Sequence, residues 1–482
     1  MRSAQTGHFV LTSERRPAHH ANKLPRGQAA AALLLLVALE AIFLLIARLH
    51  DLSTHVVGFI VLALAAGIVY FVALYALEHL GDSRAGFFLV LLGALAFRLT
   101  LLPLAPTLST DLYRYRWDGQ VQAAGWNPYS MRPDDPRLAT LRAASGAGTA
   151  AQNAWQVMPA HELPTVYPPL LELVFRATWR VLPGPVGFKL PFVLADLAVV
   201  GMLGFWVRNT GQRIARLAIY AWNPLVIIEF AGSGHNDSLA VAAMVAGILI
   251  IRRRPIVSTM ALAAGAMAKF FPATLLPMWI VRAGWPRRAR GWMAAAVAAA
   301  VGLACAWPYR AAASDFLRTM RAYYLPAWQN NNASLYSVLR WLSGSHEFAV
   351  MAGRLVVVCL ALWFAARQLS AGPARRVEPE RAAFLVVGAI LLFAPNGYPW
   401  YFTWIVPLLC FFPNTAWLLL TVLLCLSYNV LIPYGILGEW RFSPELQWLM
   451  YGPFFALLLA QAFLPRRNAR NAAGVFGATG DL

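Results

Sequence analysis

The chain has little charge, few acidic residues and few cysteines, and each shortage excludes a class of protein. Only 13% of its 482 residues are charged, about half the ~25% of an ordinary soluble domain. Together with 59% hydrophobic residues, that composition describes a polytopic membrane protein. Acidic residues number 21 against 40 basic ones, giving a net charge of +19. No basic, aromatic soluble module accompanies this excess, so nucleic acid is rejected as a partner. Arginine-rich cytoplasmic loops explain the charge instead, since such loops set the orientation of membrane proteins. The four cysteines, Cys305, Cys359, Cys410 and Cys425, lie in or beside apolar spans without metal or redox spacing. They read as small apolar residues. The chain also shows no Gly-rich phosphate loop, no zinc spacing, no haem motif and no repeat of helix groups like those of many transporters.

What the chain has is apolar length. Arg2, Arg15, Arg16, Lys23 and Arg26 precede an apolar run from Ala29 to Ala47. That run is too long for a signal-peptide core and lacks a small-x-small cleavage site, so it reads as a retained first helix. Further apolar stretches fall near 56–78, 86–105, 186–207, 217–232, 236–251, 256–269 and 272–283. The series continues near 291–308, 349–369, 382–396, 399–413, 415–433 and 446–464. Stretches of ~18 residues or more are long enough to cross a bilayer core. The expectation is an all-α integral membrane protein with about 12–14 transmembrane helices. It would have a basic tail at 1–28, a single transmembrane domain at 29–464 and a second tail at 465–482.

Charge decides the hardest segment. Arg252, Arg253 and Arg254 precede 256–283, and Arg282, Arg287, Arg288 and Arg290 follow it. A single crossing would put one arginine cluster outside, whereas a hairpin turning at Lys269–Pro272 keeps both inside. Both termini are then cytoplasmic. The loop 106–167, the Gly234–Asp237 junction, the loop 308–348 and the Pro395–Trp400 turn all fall on the outer face. Only arginines and hydropathy entered that topology, yet it gathers every chemically rich segment on one side.

The densest of these segments is Ser109-Thr110-Asp111-Leu112-Tyr113-Arg114-Tyr115-Arg116-Trp117-Asp118-Gly119. As a helix it places Asp111, Arg114, Tyr115 and Asp118 at i, i+3, i+4 and i+7, on one face. Two carboxylates and a guanidinium at a membrane surface suit a substrate bearing phosphate or hydroxyl groups. An interfacial helix held by an Asp111–Arg114 ion pair fits the same pattern. The helix is expected to end at Gly125. Asp134-Asp135-Pro136 reads as a turn or helix start rather than a metal site. Tyr167-Pro168-Pro169 opens a second interfacial helix carrying Glu172, Arg176 and Arg180.

His235, Asn236 and Asp237 form a helix cap or a sugar or phosphate contact. Lys269 interrupts an apolar hairpin, where an ionisable residue is costly and usually paired or functional. Phosphate is its expected partner. Arg98, Lys189, Asp196, Glu229 and Arg354 are further charges inside apolar spans, some of them expected to pair across helices. Trp328-Gln329-Asn330-Asn331-Asn332 offers amides and an aromatic face to sugar hydroxyls, or is a plain outer loop. In Pro395-Asn396-Gly397-Tyr398-Pro399-Trp400-Tyr401, Asn396, Tyr398 and Tyr401 are candidate substrate contacts. Trp404 reads as part of an interfacial belt.

These blocks, taken in order, resemble GT-C-fold membrane glycosyltransferases, most closely bacterial polyprenyl-phosphate-mannose-dependent mannosyltransferase-like proteins. The resemblance rests on Asp111 to Tyr129 with Tyr167-Pro168-Pro169, on Gly234-His235-Asn236-Asp237, on Ala268-Lys269-Phe270-Phe271-Pro272, and on Tyr398-Pro399-Trp400-Tyr401 leading into Pro407. The chain departs from the pattern of that family at Tyr398, where its members often carry His, and in the two helices that precede the span leading to the acidic loop. The resemblance implies inverting transfer of a sugar, mannose first, from a polyprenyl-phosphate donor to a hydroxyl of a lipid or glycan acceptor. The site would lie on the outer face of the bacterial cytoplasmic membrane, with membrane lipids around it. It implies Asp111 as the catalytic base, and Asp118 orienting the acceptor or binding a cation. Lys269, Arg114 and Arg116 would face the leaving phosphate, with His235 as helper. Tyr115, Asn236 and Asp237 complete the expected substrate-binding set. The reaction would be metal-independent or assisted by a divalent cation, Mg or Mn, and no protein metal ligands are assigned. Two other readings remain open. One is a multi-span transporter or lipid flippase. The other is a polysaccharide polymerase or ligase built on Arg310, Arg318, Arg321 and His346.

Overall fold

The structure is a computed structural model, which describes residues 26–79, 83–144, 154–324, 330–370 and 376–463. Its regular elements are helices, and there is no strand among the described residues. Of the expected tails, residues 1–25 of the first and all of 465–482 lie outside the described residues, as do Trp328 and Gln329, while 26–28 already belong to the first helix.

Among the described residues, eight helices are long and apolar enough to cross a membrane. They are Ala30–Arg48, Val56–His79, Arg84–Leu101, Pro185–Thr210, Ala289–Tyr323, His346–Ser370, Thr415–Leu437 and Pro444–Phe463. Ile214–Ala221 and Pro224–Gly232, bent by 43° at a short break, would together make a ninth. Several of these helices are apolar on both faces, the sign of a helix with lipid as solvent. Leu34, Val57, Leu92 and Phe205 point outward, while Leu39, Phe59, Phe97 and Leu203 from the same helices are fully buried. One continuous core runs from Ala32 to Phe454.

The expected 12–14 spans are thereby revised to eight or nine by length. The apolar stretches are real helices, but Asp237–Ile250, Pro255–Ala268 and Pro399–Phe411 are short. A helix of 14 residues such as Asp237–Ile250 covers ~21 Å, less than the ~30 Å of a bilayer core. Hydropathy registers composition and is nearly blind to this shortfall. The segment 256–283 does break where the charges require: Pro255–Ala268 stops at Lys269, whose backbone is extended, and Pro272 starts a fresh turn before Leu276–Ala283.

Buried charges fasten the helices together. Arg98 Nε and Nη2 donate to the two Asp196 oxygens at 2.5 and 3.1 Å, and the Tyr220 hydroxyl donates to Asp196 at 2.7 Å. Lys189 Nζ donates to the carbonyls of Leu102, Leu104, Ala231 and Gly232 at 2.5–3.2 Å. Charges this deep persist only when fully partnered, and both clusters meet that condition.

Candidate active site

The loop helix Asp111–Ala123 begins where the apolar Arg84–Leu101 helix has ended. It stops as expected, with Gly125 in a left-handed conformation at φ 89°. It packs on Pro169–Val181 closely enough that a side chain at Gly119 would strike the Phe175 carbonyl at 2.6 Å. At its start, Leu112 lies against Gly234, which needs φ 77° and has no room for a Cβ between Leu112 and Lys189. Gly234 is therefore the hinge that sets His235 facing Asp111. Tyr115 does not line the site. Its ring stacks on Phe175 at 4.8 Å, and its hydroxyl meets Tyr167 and the Asn236 backbone, bracing the junction from behind.

Asp111, His235, Asn236, Asp237, Lys269, Tyr398 and Tyr401 converge from four distant segments. Asp111 Oδ2 is 4.0 Å from His235 Nδ1, with the carboxylate 28% exposed and the imidazole buried. His235 stacks on Trp400 at 4.1 Å, and Trp400 stacks on Tyr398 at 4.7 Å. The other ring nitrogen, Nε2, stands 3.5 Å from Glu229 Oε2, while the Tyr428 hydroxyl donates to Glu229 Oε1 at 2.6 Å. Lys269 Nζ lies 3.1 Å from Asp237 and 3.3 Å from Asn236 Oδ1, and over the Tyr401 ring at 5.4 Å.

Electrostatics separate the roles. Burial pushes the Asp111 carboxyl up to about 6, opposed by Lys269 and reinforced by Asp237. Burial, together with Lys269, pushes His235 well below its ordinary value, so the ring stays neutral. Several buried polar atoms here have no hydrogen-bond partner: both His235 ring nitrogens, Asn236 Nδ2 and Ser238 Oγ. Buried groups are rarely left so, and each left unmade costs ~1–3 kcal/mol. Incoming hydroxyl or phosphate oxygens would satisfy them.

Arg114, Arg116 and Asp118 stand apart from this cluster. Arg114 Nε donates to both Asp118 oxygens at 3.0 Å, not to Asp111, and its terminal nitrogens hold the Ala160 and Leu163 carbonyls. Asp118 is buried and so occupied, which leaves it no reach toward an acceptor. Arg116 Nε donates to the Pro183 carbonyl. Glu172, expected on an interfacial surface, is instead fully buried beside this pair. Gln122 donates to it at 2.7 Å and Thr165 at 2.5 Å. Burial and the nearby Asp118 push Glu172 well above the usual carboxylate range. Seven residues cover two helical turns, and the face is wide enough for its two ends to meet different neighbours.

The amide-rich stretch braces the last turn. Asn332 Nδ2 donates to the Leu391 and Ala394 carbonyls at 2.7 and 2.8 Å, and Asn331 Oδ1 accepts from Gly397 N–H at 2.8 Å. Asn396 is buried in that turn. Trp404 is no belt residue: it is buried, and its indole N–H donates to Asp237 Oδ1 at 2.7 Å. Asp134 and Asp135 pair with Arg132 and Arg137, and Asp135 caps the Pro136–Leu138 turn, as a helix start should. The sequence reading missed Glu229, Tyr428 and Trp400 as site neighbours. The signal for Glu229 was an acid inside an apolar span, and nothing in the sequence aims it at His235.

Among the described residues no three His, Cys, Asp or Glu side chains group to hold a metal ion. Asp237, the acid nearest Lys269, is already taken by Lys269 and Trp404. The donor set does not fit a resident divalent cation.

Residues 25–284 match the family model described as alpha-(1->6)-mannopyranosyltransferase, N-terminal domain. That range contains Asp111, His235 and Lys269, and ends before the Tyr398 turn. No curated protein and no solved structure matches the chain.

Proposed function

We propose how this chain, which belongs to the alpha-(1->6)-mannopyranosyltransferase family and is a membrane glycosyltransferase, carries out its transfer. Mannose leaves a polyprenyl-phosphate donor and joins a hydroxyl of a glycan or lipid acceptor with inversion. The reaction takes place on the outer face of the bacterial cytoplasmic membrane, with both termini inside. The observation that carries this reading is the partly exposed Asp111 carboxyl beside buried polar atoms lacking partners.

Asp111 accepts the acceptor hydroxyl proton as that oxygen attacks the anomeric carbon. The bond from the anomeric carbon to phosphate oxygen breaks, and the phosphate departs with the electron pair. Lys269 offsets the charge gathering on that phosphate. His235 and Asn236 hydrogen-bond the sugar or the phosphate, and Tyr398, at the end of the His235–Trp400–Tyr398 stack, meets the sugar ring. Asp237 aims Lys269, while Tyr401 lies beneath its ammonium. Asn396 lies in the turn that carries both aromatics, and Asn331 and Asn332 hold that turn. Asp118, Arg114, Arg116 and Tyr115 position the loop helix without touching substrate. The polyprenyl tail lies against the exposed apolar helix faces. No step runs through Mg or Mn.

The test is transfer of radiolabelled mannose from polyprenyl-phosphate-mannose into lipid and glycan acceptors, using membranes of the wild type and of Asp111→Asn at matched expression. Transfer by the wild type, lost in Asp111→Asn and unaffected by EDTA, is expected. Full activity in Asp111→Asn would sink the proposed base, and loss in EDTA would require a cation that the mechanism omits.

A further inference from the structure

A second charged cluster lies at the far end of the helices that build the site. Asp237–Ile250 runs from His235 toward the turn Ile251–Arg254, and Pro255–Ala268 returns from that turn to Lys269. Each has 14 residues, so the turn stands ~20 Å from the transfer site. There a cavity of about 250 Å³ is lined by Arg252, Arg253, Arg282, Arg290 and Arg376, with two apolar residues.

The charges do not cancel. Arg252 is paired with Glu378 and, at 3.0 Å, with Glu380. Arg282 donates only to neutral acceptors, Gln368 Oε1 at 3.4 Å and the Val377 carbonyl at 3.3 Å. Among the described residues no carboxylate lies within 4.0 Å of Arg253, Arg282, Arg290 or Arg376. Five guanidinium groups thus face two carboxylates. The positive-inside rule asks only that arginines lie on one side of the membrane. It does not ask three separate segments to turn them toward one hollow, where like charges repel.

A polyanion between them converts that repulsion into binding. Guanidinium forks match phosphate oxygens two at a time and shed water more readily than an ammonium. Basic pockets between membrane helices are a known setting for anionic headgroups. We propose that this cavity binds a phosphate-bearing anion, either a lipid headgroup or a free polyphosphate, at a site separate from the transfer centre.

The test uses the full chain, purified in neutral detergent and stripped of lipid. Native mass spectrometry measures retention of added phosphatidylglycerol against phosphatidylcholine, and calorimetry measures binding of inorganic pyrophosphate. The wild type should hold phosphatidylglycerol at least about tenfold better than phosphatidylcholine, or bind pyrophosphate, since charge-assisted bonds of this kind carry that much discrimination. The first result alone assigns a headgroup, and the second a free phosphate compound. Arg282→Gln with Arg290→Gln should weaken the binding at least about tenfold, and Arg137→Gln on the outer loop should not. Arg376→Gln, which breaks no hydrogen bond or ion pair among the described residues, gives the same reading if the double variant folds poorly. Equal retention of both lipids without pyrophosphate binding by the wild type overturns the proposal, as does undiminished binding by Arg376→Gln and the double variant.

Discussion

Asp111 and Asp118 lie two turns apart on one helix, and their surroundings have almost nothing in common. Around Asp118 the buried carboxylates are answered: Arg114 grips the Asp118 carboxylate and two loop carbonyls, while Gln122 and Thr165 serve Glu172. Around Asp111 several buried polar atoms are unanswered, both His235 ring nitrogens and Asn236 Nδ2 among them, and the carboxylate itself stays partly open. A closed network fixes geometry, and an open one keeps binding capacity in reserve at a cost in stability. The two regions therefore separate the part of the loop that holds the site from the part that uses it.

Substitution in each region should break different properties. Asp111→Asn should lower transfer ~10²–10⁴-fold, the range for loss of a general base. It should also fold at least as well as the wild type. The folded-state value of Asp111 is raised from 3.8 to about 6, so the ionised carboxylate costs stability as pH rises through that window. The amide removes this cost, on the order of 1–3 kcal/mol at pH 7. A clear drop in melting temperature would show that Asp111 is structural after all.

In the Asp118 network, Arg114→Leu should destabilise the protein by ~3–5 kcal/mol, because it strands buried carboxylates. Thermal melts and yield measure this, and the transfer rate per folded molecule should change much less. A stable Arg114→Leu protein with no transfer would reverse the comparison and place Arg114 on the substrate. Lys269→Gln should cut kcat/KM ~10²-fold, with the loss greatest for donors carrying the phosphate. Steady-state kinetics with donor varied would read this directly.

The smallest effect is in pH. Transfer needs Asp111 ionised, so activity should fall as pH drops through about 6. A limb near the ordinary aspartate value would mean that the carboxylate is more hydrated than its neighbours here allow.

Much of the fold was readable beforehand because lipid is an unforgiving solvent. Each apolar stretch had to become a helix, and the arginines around 256–283 required the break found at Lys269. The helix from Asp111 and its stop at Gly125 followed from local signals, as did the cap at Asp135. The mistakes share one cause. Asn331 and Asn332 offer amides to any partner, and only packing shows that the partner is the Pro395–Trp400 turn. Glu172 carries the same side chain whether it lies on a surface or in a core.

Composition and periodicity alone thus determined that this is an all-helical membrane protein and marked Asp111, His235 and Lys269 as residues of interest. Those properties are set by neighbours in the chain and by the solvent around it. Tertiary structure decided that Asp111 meets His235 across more than a hundred residues, that Asp118 turns inward to Arg114, and that Glu229 and Trp400 flank the imidazole. Side-chain chemistry fixes what a group can do, and only the folded path of the chain fixes what it faces.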